Sequence, residues 1–257
     1  MTHAAGDVLD RAPEAAAELT VLLLQIRDHR EAELQERDCF VSISGLPAER
    51  FRFHNLLDDP DFGWDDAAGV DAVVVGGAGS HSVTERHEFT APLARFVERW
   101  IGAGRPLFGS CFGHQFVAQA LGGRVETDLA RKELGTLDVE LTAAGAADPL
   151  FAGLPRRFAA QFGHNDRVVE LPPGGVDLAF TELCPVQAYR IAGLPVWGCQ
   201  FHVELDPRRM VERATIYRSG YLPDEDGLAR LAATLRPSPE SSTLFARFLD
   251  LAAGASA

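Results

Sequence analysis

Residues 19–26 form a nearly unbroken apolar run whose one late polar position is Gln25. A short run without alternation marks a strand covered on both faces, as in the middle of a parallel sheet. The charge pattern of residues 29–44 predicts a helix, residues 51–56 a second strand, and residues 70–75 a third buried strand that runs into Gly76-Gly77-Ala78-Gly79-Ser80. Between 89 and 101 the apolar positions fall at Phe89, Leu93, Phe96, Val97 and Trp100, a helical spacing. Pro92 is tolerated there because it falls in the first turn. A brief strand at 105–109 then meets a helix from Phe112 to Leu121, with Phe112, Phe116, Val117, Ala120 and Leu121 on one face.

The second half is richer in strands, expected at 123–127, 136–142, 158–161, 178–181, 187–191 and 196–201. Turns are marked by Pro149, Pro155, Pro172-Pro173-Gly174-Gly175 and Pro195. Near the end, Ser238-Pro239 reads as an N-cap followed by proline at the first helical position, and Leu244, Phe245, Phe248 and Leu249 give that helix a buried face. Strands alternating with helices predict one doubly wound α/β domain over 19–253, with a mostly parallel central sheet and helices on both faces, of flavodoxin-like type. Residues 1–18, rich in Ala, Glu and Asp without periodicity, read as a mobile tail.

Composition narrows the class. At 257 residues, 46% hydrophobic and 24% charged, the chain is long enough to bury a sizeable core and reads as folded and water-soluble. Acidic residues outnumber basic ones 37 to 24, for a net charge of -13, and no Lys/Arg run offers a footprint for phosphates, so no nucleic-acid partner is expected. The strongest apolar run is too short to span a bilayer and follows an acidic segment, so a cytoplasmic protein without a membrane partner is expected. The four cysteines, at 39, 111, 184 and 199, show no Cys-x-x-Cys spacing, and His81, Glu85 and His87 do not form a His-Glu-x-x-His set. Neither a metal nor a cofactor is expected. Cys39, Cys184 and Cys199 sit among apolar neighbours and read as buried filler.

Cys111 differs. Gly109-Ser110-Cys111-Phe112-Gly113-His114-Gln115 places it between two glycines where the strand gives way to the helix, the arrangement of a nucleophile elbow. The start of a helix also favours a thiolate. A cysteine nucleophile wants an oriented base, and His202 with Glu204 fits best, because residues two apart in an extended segment share a face. The glycines at 76–79 can bring backbone N–H groups close enough for an oxyanion hole.

In this order, the three segments resemble the class I (triad) glutamine amidotransferase domain, whose pattern is Gly-Gly-Pro-Gly, then Gly-x-Cys-x-Gly-x-Gln, then Gln-Phe-His-Pro-Glu. Gly163-His164-Asn165-Asp166 and the stretch after it look like that family's His-x-Asp loop, so the likeness covers roughly residues 19–210. The resemblance implies that Cys111 attacks the side-chain amide of glutamine, that His202 shuttles the proton and that Glu204 orients His202. The N–H groups of Gly77 and Phe112 would hold the oxyanion of the γ-glutamyl thioester chemistry, Gln115 would contact the bound glutamine, and His164, Asn165 and Asp166 would border the pocket. Ala78 and Val203 replace two family prolines without removing an N–H donor or a triad side chain. The acceptor of the ammonia is not in this sequence, which leaves two expectations: ammonia passed to a separate synthetase or acceptor subunit, or an enzyme acting alone on an amide. Two alternatives stay open: a γ-glutamyl peptidase or hydrolase using the same triad, and a glutaminase-like module that binds or regulates without catalysis.

Overall fold

The computed structural model describes residues 16–218, 222, 224 and 226–255; residues 1–15 of the expected tail lie outside them. Ala16–Glu18, also assigned to the tail from sequence, form a 3-10 turn with Ala16 buried.

Among the described residues, nine strands make one sheet. In chain order they are β1 (Val21–Ile26), β2 (Phe51–Asn55), β3 (Ala72–Ala78), β4 (Leu107–Ser110), β6 (Glu133–Leu141), β7 (Arg157–His164), β9 (Gly175–Phe180), β10 (Ala188–Ile191) and β11 (Val196–Cys199). Their spatial order is β2-β1-β3-β4-β11-β10-β9-β6-β7. The run from β2 to β11 is parallel, and the remaining strands add an antiparallel wing. Two further strands, β5 (Arg124–Thr127) and β8 (Asp166–Glu170), pair only with each other.

The apolar run at β1 is explained by its two faces. Val21 and Leu23 join a core with Phe40 of helix α1 (Arg30–Ser44) and Phe245, Phe248 and Leu249 of the C-terminal helix α8 (Leu244–Ala255). Leu22, Leu24 and Ile26 face the opposite way. They pack with Phe96 and Trp100 of α2 (Thr90–Gly102) and Phe112, Phe116 and Val117 of α3 (Phe112–Ala120). Each such fully buried side chain is worth about 1.5–3 kcal/mol of transfer free energy. Between α3 and α8 in the chain come a short helix α4 (Ala143–Ala147) beside β9, then α5 (Pro207–Ile216), α6 (Gly227–Thr234) and a four-residue α7 (Pro239–Ser242). Pro239 opens α7 as expected, but Thr243 breaks the anticipated single helix into α7 and α8. A third small core, including Cys39, Leu205, Met210 and Leu231, seats α5 and α6 against α1.

Three expectations shift. The third strand runs on to Ala78, and the register with β1 steps from Leu24 opposite Val75 to Ile26 opposite Ala78, so Gly76 and Gly77 form a bulge in β3 facing the single residue Gln25. β8 was not foreseen, because residues 166–170 read as part of a loop. The strand carrying His202 ends at Cys199: Gln200 N–H instead bonds Gln187 O at 2.8 Å and His202 N–H bonds Gln161 O at 2.9 Å. The chain thus turns off the parallel ladder towards the antiparallel wing, above the C-terminal ends of β3 and β4, where ligands bind in open α/β sheets.

Candidate functional site

β4 ends at Ser110 and α3 begins at Phe112, so a single residue turns the chain. Cys111 does this at φ 49° and ψ -98°, and it is the one non-glycine residue with positive φ among the described residues. Such a backbone costs about 1–3 kcal/mol and persists only where its surroundings over-determine it. Here Cys111 N–H bonds Cys199 O at 2.9 Å, and Cys111 O accepts the N–H of Gln115 at 3.2 Å. The flanking glycines are steric requirements. A Cβ on Gly113 would run into the Val75 carbonyl, and one on Gly109 would lie 2.6 Å from the Gly113 carbonyl carbon. The elbow expected from the sequence is present.

His202 and Glu204 meet it. His202 Nδ1 lies 2.7 Å from Glu204 Oε1, and the imidazole also hydrogen-bonds Cys111. The second carboxylate oxygen, Glu204 Oε2, accepts from Ser110 Oγ at 3.2 Å. Burial works against a charged imidazole, but the Glu204 carboxylate and the Cys111 sulfur outweigh it and push the His202 pKa up to about 10. Burial likewise raises Glu204, yet His202 and then Arg213 bring it down to about 2. At neutral pH the pair is therefore imidazolium and carboxylate. The three other cysteines are all free and buried. Burial pushes the thiols of Cys39 and Cys184 up to about 12 and holds that of Cys199 well above its ordinary value, so all three stay protonated and unreactive at neutral pH.

The oxyanion donors divide. Phe112 opens α3, where first-turn N–H groups have no helical acceptor. Gly77 N–H, in contrast, donates to Glu36 Oε1 at 3.2 Å. The resemblance assigned Gly77 to the oxyanion; in this structure its donor is committed to a buried carboxylate. Glu36 also takes Arg27 Nη2 at 2.6 Å and Gln25 Nε2 at 2.9 Å, forming a fully enclosed brace under the glycine segment. A Cβ on Gly77 would lie 2.8 Å from Arg27 Nη2 and 3.2 Å from His202 Cε1, so only glycine fits between brace and imidazole.

Cys111 opens onto a cleft of about 370 Å³ lined also by Phe112, Gln115, Asn165, Ser80 and Glu85. All four residues expected at the pocket line it, but their freedom differs. His164 has both ring nitrogens engaged, Nδ1 with Asp166 O and Nε2 with Glu133 Oε2, each at 2.9 Å, so it braces the β7–β8 corner. The Asp166 carboxylate accepts from Ser82 Oγ at 2.5 Å and Thr127 Oγ1 at 2.6 Å, stitching the rim together. Asn165 is exposed. Gln115 uses both side-chain N–H groups inside the protein, on Asp166 O at 2.7 Å and Gln200 Oε1 at 3.0 Å, which leaves its Oε1 for a ligand. No Lys or Arg lines the cleft among the described residues, whereas Asp28, Glu85 and Asp166 do.

Sequence reasoning gave no role to Arg27, Glu36, Ser110 or Gln200. Gln200 was within reach, since it opens the Gln-Phe-His segment. Arg27 and Glu36 carried no signal, because charges after a strand and along a helix normally face water.

A doubly wound α/β sheet with a cysteine elbow facing a histidine–carboxylate pair defines a protein of the glutaminase-like class. Comparison with known proteins narrows this: the family model "Glutamine amidotransferase class-I" matches residues 46–215, and the chain belongs to that family. It is 38% identical over 130 residues to one subunit of the glutamine-hydrolyzing GMP synthase of Thermococcus kodakarensis, a match covering 51% of this chain and 66% of that protein. The corresponding subunit of Methanopyrus kandleri is 33% identical over 161 residues, covering 63% of this chain and 78% of the relative. A match to the Pyrococcus abyssi subunit covers 61% of that protein, so the chain spans less than two thirds of the length of the Thermococcus and Pyrococcus relatives. In fold, the chain is similar to a glutamine amidotransferase from Thermotoga maritima, with a TM-score of 0.70 at 20% identity, covering 91% of this chain and 98% of that one.

Proposed function

We propose that the protein hydrolyses the side-chain amide of glutamine and delivers the ammonia to a separate acceptor subunit. The observation that carries this reading is the contact of His202 with both Cys111 and Glu204, at 2.7 Å from the latter, where Cys111 forms the inner end of a cleft. Cys111 Sγ attacks the amide carbon, and the oxyanion forms against Phe112 N–H and the positive end of α3. Gly77 N–H serves as the second donor once its 3.2 Å bond to Glu36 gives way. His202 then gives its proton to the departing nitrogen, ammonia leaves, and a γ-glutamyl thioester remains. Water attacks the thioester with His202 taking its proton, and glutamate is released as the thiol is restored. Glu204 holds the imidazole in register throughout. The acidic cleft suits the α-ammonium group of an amino acid, and Gln115, which lines it, has Oε1 to offer as an acceptor.

The archaeal relatives are named as one subunit of a synthase, which supports an acceptor on a second chain. No described helix is long and apolar enough to cross a membrane; we place the protein in the cytoplasm with such a partner. The cleft reaches from Cys111 to Glu85 and Thr127 at the exposed rim, which favours, as the second reading, a larger γ-glutamyl amide as substrate. Assay of glutamate and ammonia from glutamine, beside γ-glutamyl dipeptides, tests both. Release of both products by the wild type and none by Cys111→Ala is expected. A higher specificity constant for the dipeptides selects the second reading, and turnover that survives Cys111→Ala refutes both.

A further inference from the structure

We infer that Gln115 and Gln200 form a paired-amide lock that fixes the Cys111 sulfur, with Gln200 as the direct donor to sulfur and Gln115 as the residue that sets its orientation. Gln200 is completely buried, and its Nε2 points at Cys111 Sγ at 3.7 Å. An amide has two nearly isosteric ends, and here the orientation matters: Nε2 offers hydrogen to a thiolate, whereas Oε1 would set a lone pair against it. The choice is made one residue further out. Gln115 Nε2 donates to Gln200 Oε1 at 3.0 Å, which requires the oxygen of Gln200 to face Gln115 and its nitrogen to face the sulfur. Gln115 cannot itself reverse, because its other N–H is held by the Asp166 carbonyl at 2.7 Å, and a backbone carbonyl only accepts. The polarity of the chain from Asp166 O through Gln115 and Gln200 to Cys111 Sγ is thus fixed by a backbone atom on β8.

The elements make this rigid. Gln115 projects from the first turn of α3, and Gln200 is tied by its own N–H to Gln187 O at 2.8 Å. His202 contacts the same sulfur, so the sulfur is held from two sides by groups that both donate. Gln115 also borders the cleft, so the residue that meets the ligand is the one that orders the nucleophile.

A hydrogen bond to a charged group is worth about tenfold or more in rate at the low end of its range, where a long bond to sulfur belongs. The test is alkylation of Cys111 by iodoacetamide at pH 7 without substrate, followed by mass spectrometry of the Cys111 peptide, in the full chain. Gln200→Met is expected to alkylate about tenfold more slowly than wild type. Gln115→Met should also be slower, and the double variant no slower than Gln200→Met alone. Thermal unfolding identifies variants that fold, and Gln200→Asn, which withdraws the donor but keeps the amide, replaces Gln200→Met if the latter does not. Wild-type alkylation in a folded Gln200 variant, or effects of the two substitutions that multiply independently, overturns the lock. A kinetic arm rests on the glutaminase reading: Gln200→Met should lower kcat about tenfold with KM unchanged. If the wild type does not hydrolyse glutamine that reading fails, while the alkylation result still decides the lock.

Discussion

Cys111 adopts a backbone that its side chain disfavours, and His202 carries a proton that its burial opposes; in both cases specific neighbours reverse the local preference. This has a sign in pH. The folded pKa of His202, about 10, lies above its ordinary value of 6.5, so its contribution to stability is complete below about pH 6.5 and is lost as pH rises through 10. Glu204 is opposite: its folded pKa of about 2 lies below the ordinary 4.5, so its contribution is present above 4.5 and lost as pH falls through 2. In urea titrations, His202→Asn should be less stable than wild type at pH 6, with the gap closing as pH approaches 10; a constant gap would mean the imidazolium is not what His202 contributes. Glu204→Gln should lower kcat for glutamine by roughly 10²–10⁴, measured with the fold verified by circular dichroism. An unchanged kcat would remove Glu204 from the mechanism. At this scale the meeting of Cys111, His202 and Glu204 was legible in the sequence, because each sits in a motif of fixed spacing. The orientation of the Gln115–Gln200 amides was not, since it is set by a carbonyl on β8 that is distant in sequence.

The elbow is an element-scale device: β4, Cys111 and α3 are held by two glycines against β3. Gly113→Ala should destabilise the protein by about 1–3 kcal/mol or more, because the added methyl meets the Val75 carbonyl, which cannot move without breaking the sheet. Gly102→Ala at the exposed end of α2 is the control, with nothing within 4 Å of its Cβ and an expected gain of about 0.4–1 kcal/mol. Chemical denaturation of the two variants measures both, and similar effects would deny the elbow its steric basis. Apolar runs such as β1 made the parallel strands readable. β8 was hidden because Asp166 and Arg167 open it with charges, both buried and paired, Arg167 with Glu126 and Asp128 at 3.0 and 2.9 Å. Buried charge is invisible to a reading that equates polarity with solvent.

On the scale of the whole molecule, a parallel half builds the elbow and the glycine segment, and an antiparallel wing receives His202 through its bond to Gln161. The class of sheet was legible from alternating strands and helices; the wing was foreseen only as a strand-rich region, because strand pairing is not written in local periodicity. Within the wing, burial pushes Asp177 up to about 6, against the Ala179 backbone N–H. That raised value means a cost absent below about pH 3.8 and complete above about pH 6. Asp177→Asn should therefore raise the melting temperature at pH 7 and not at pH 3.5; a gain equal at both would contradict it. The most direct test of glutaminase chemistry joins both halves of the molecule: incubation of the intact protein with a diazoketone analogue of glutamine, followed by peptide mass spectrometry. A single adduct on Cys111, suppressed by excess glutamine and abolished in His202→Asn, is the expected result. No adduct, or one on Cys39, Cys184 or Cys199 in its place, would contradict it.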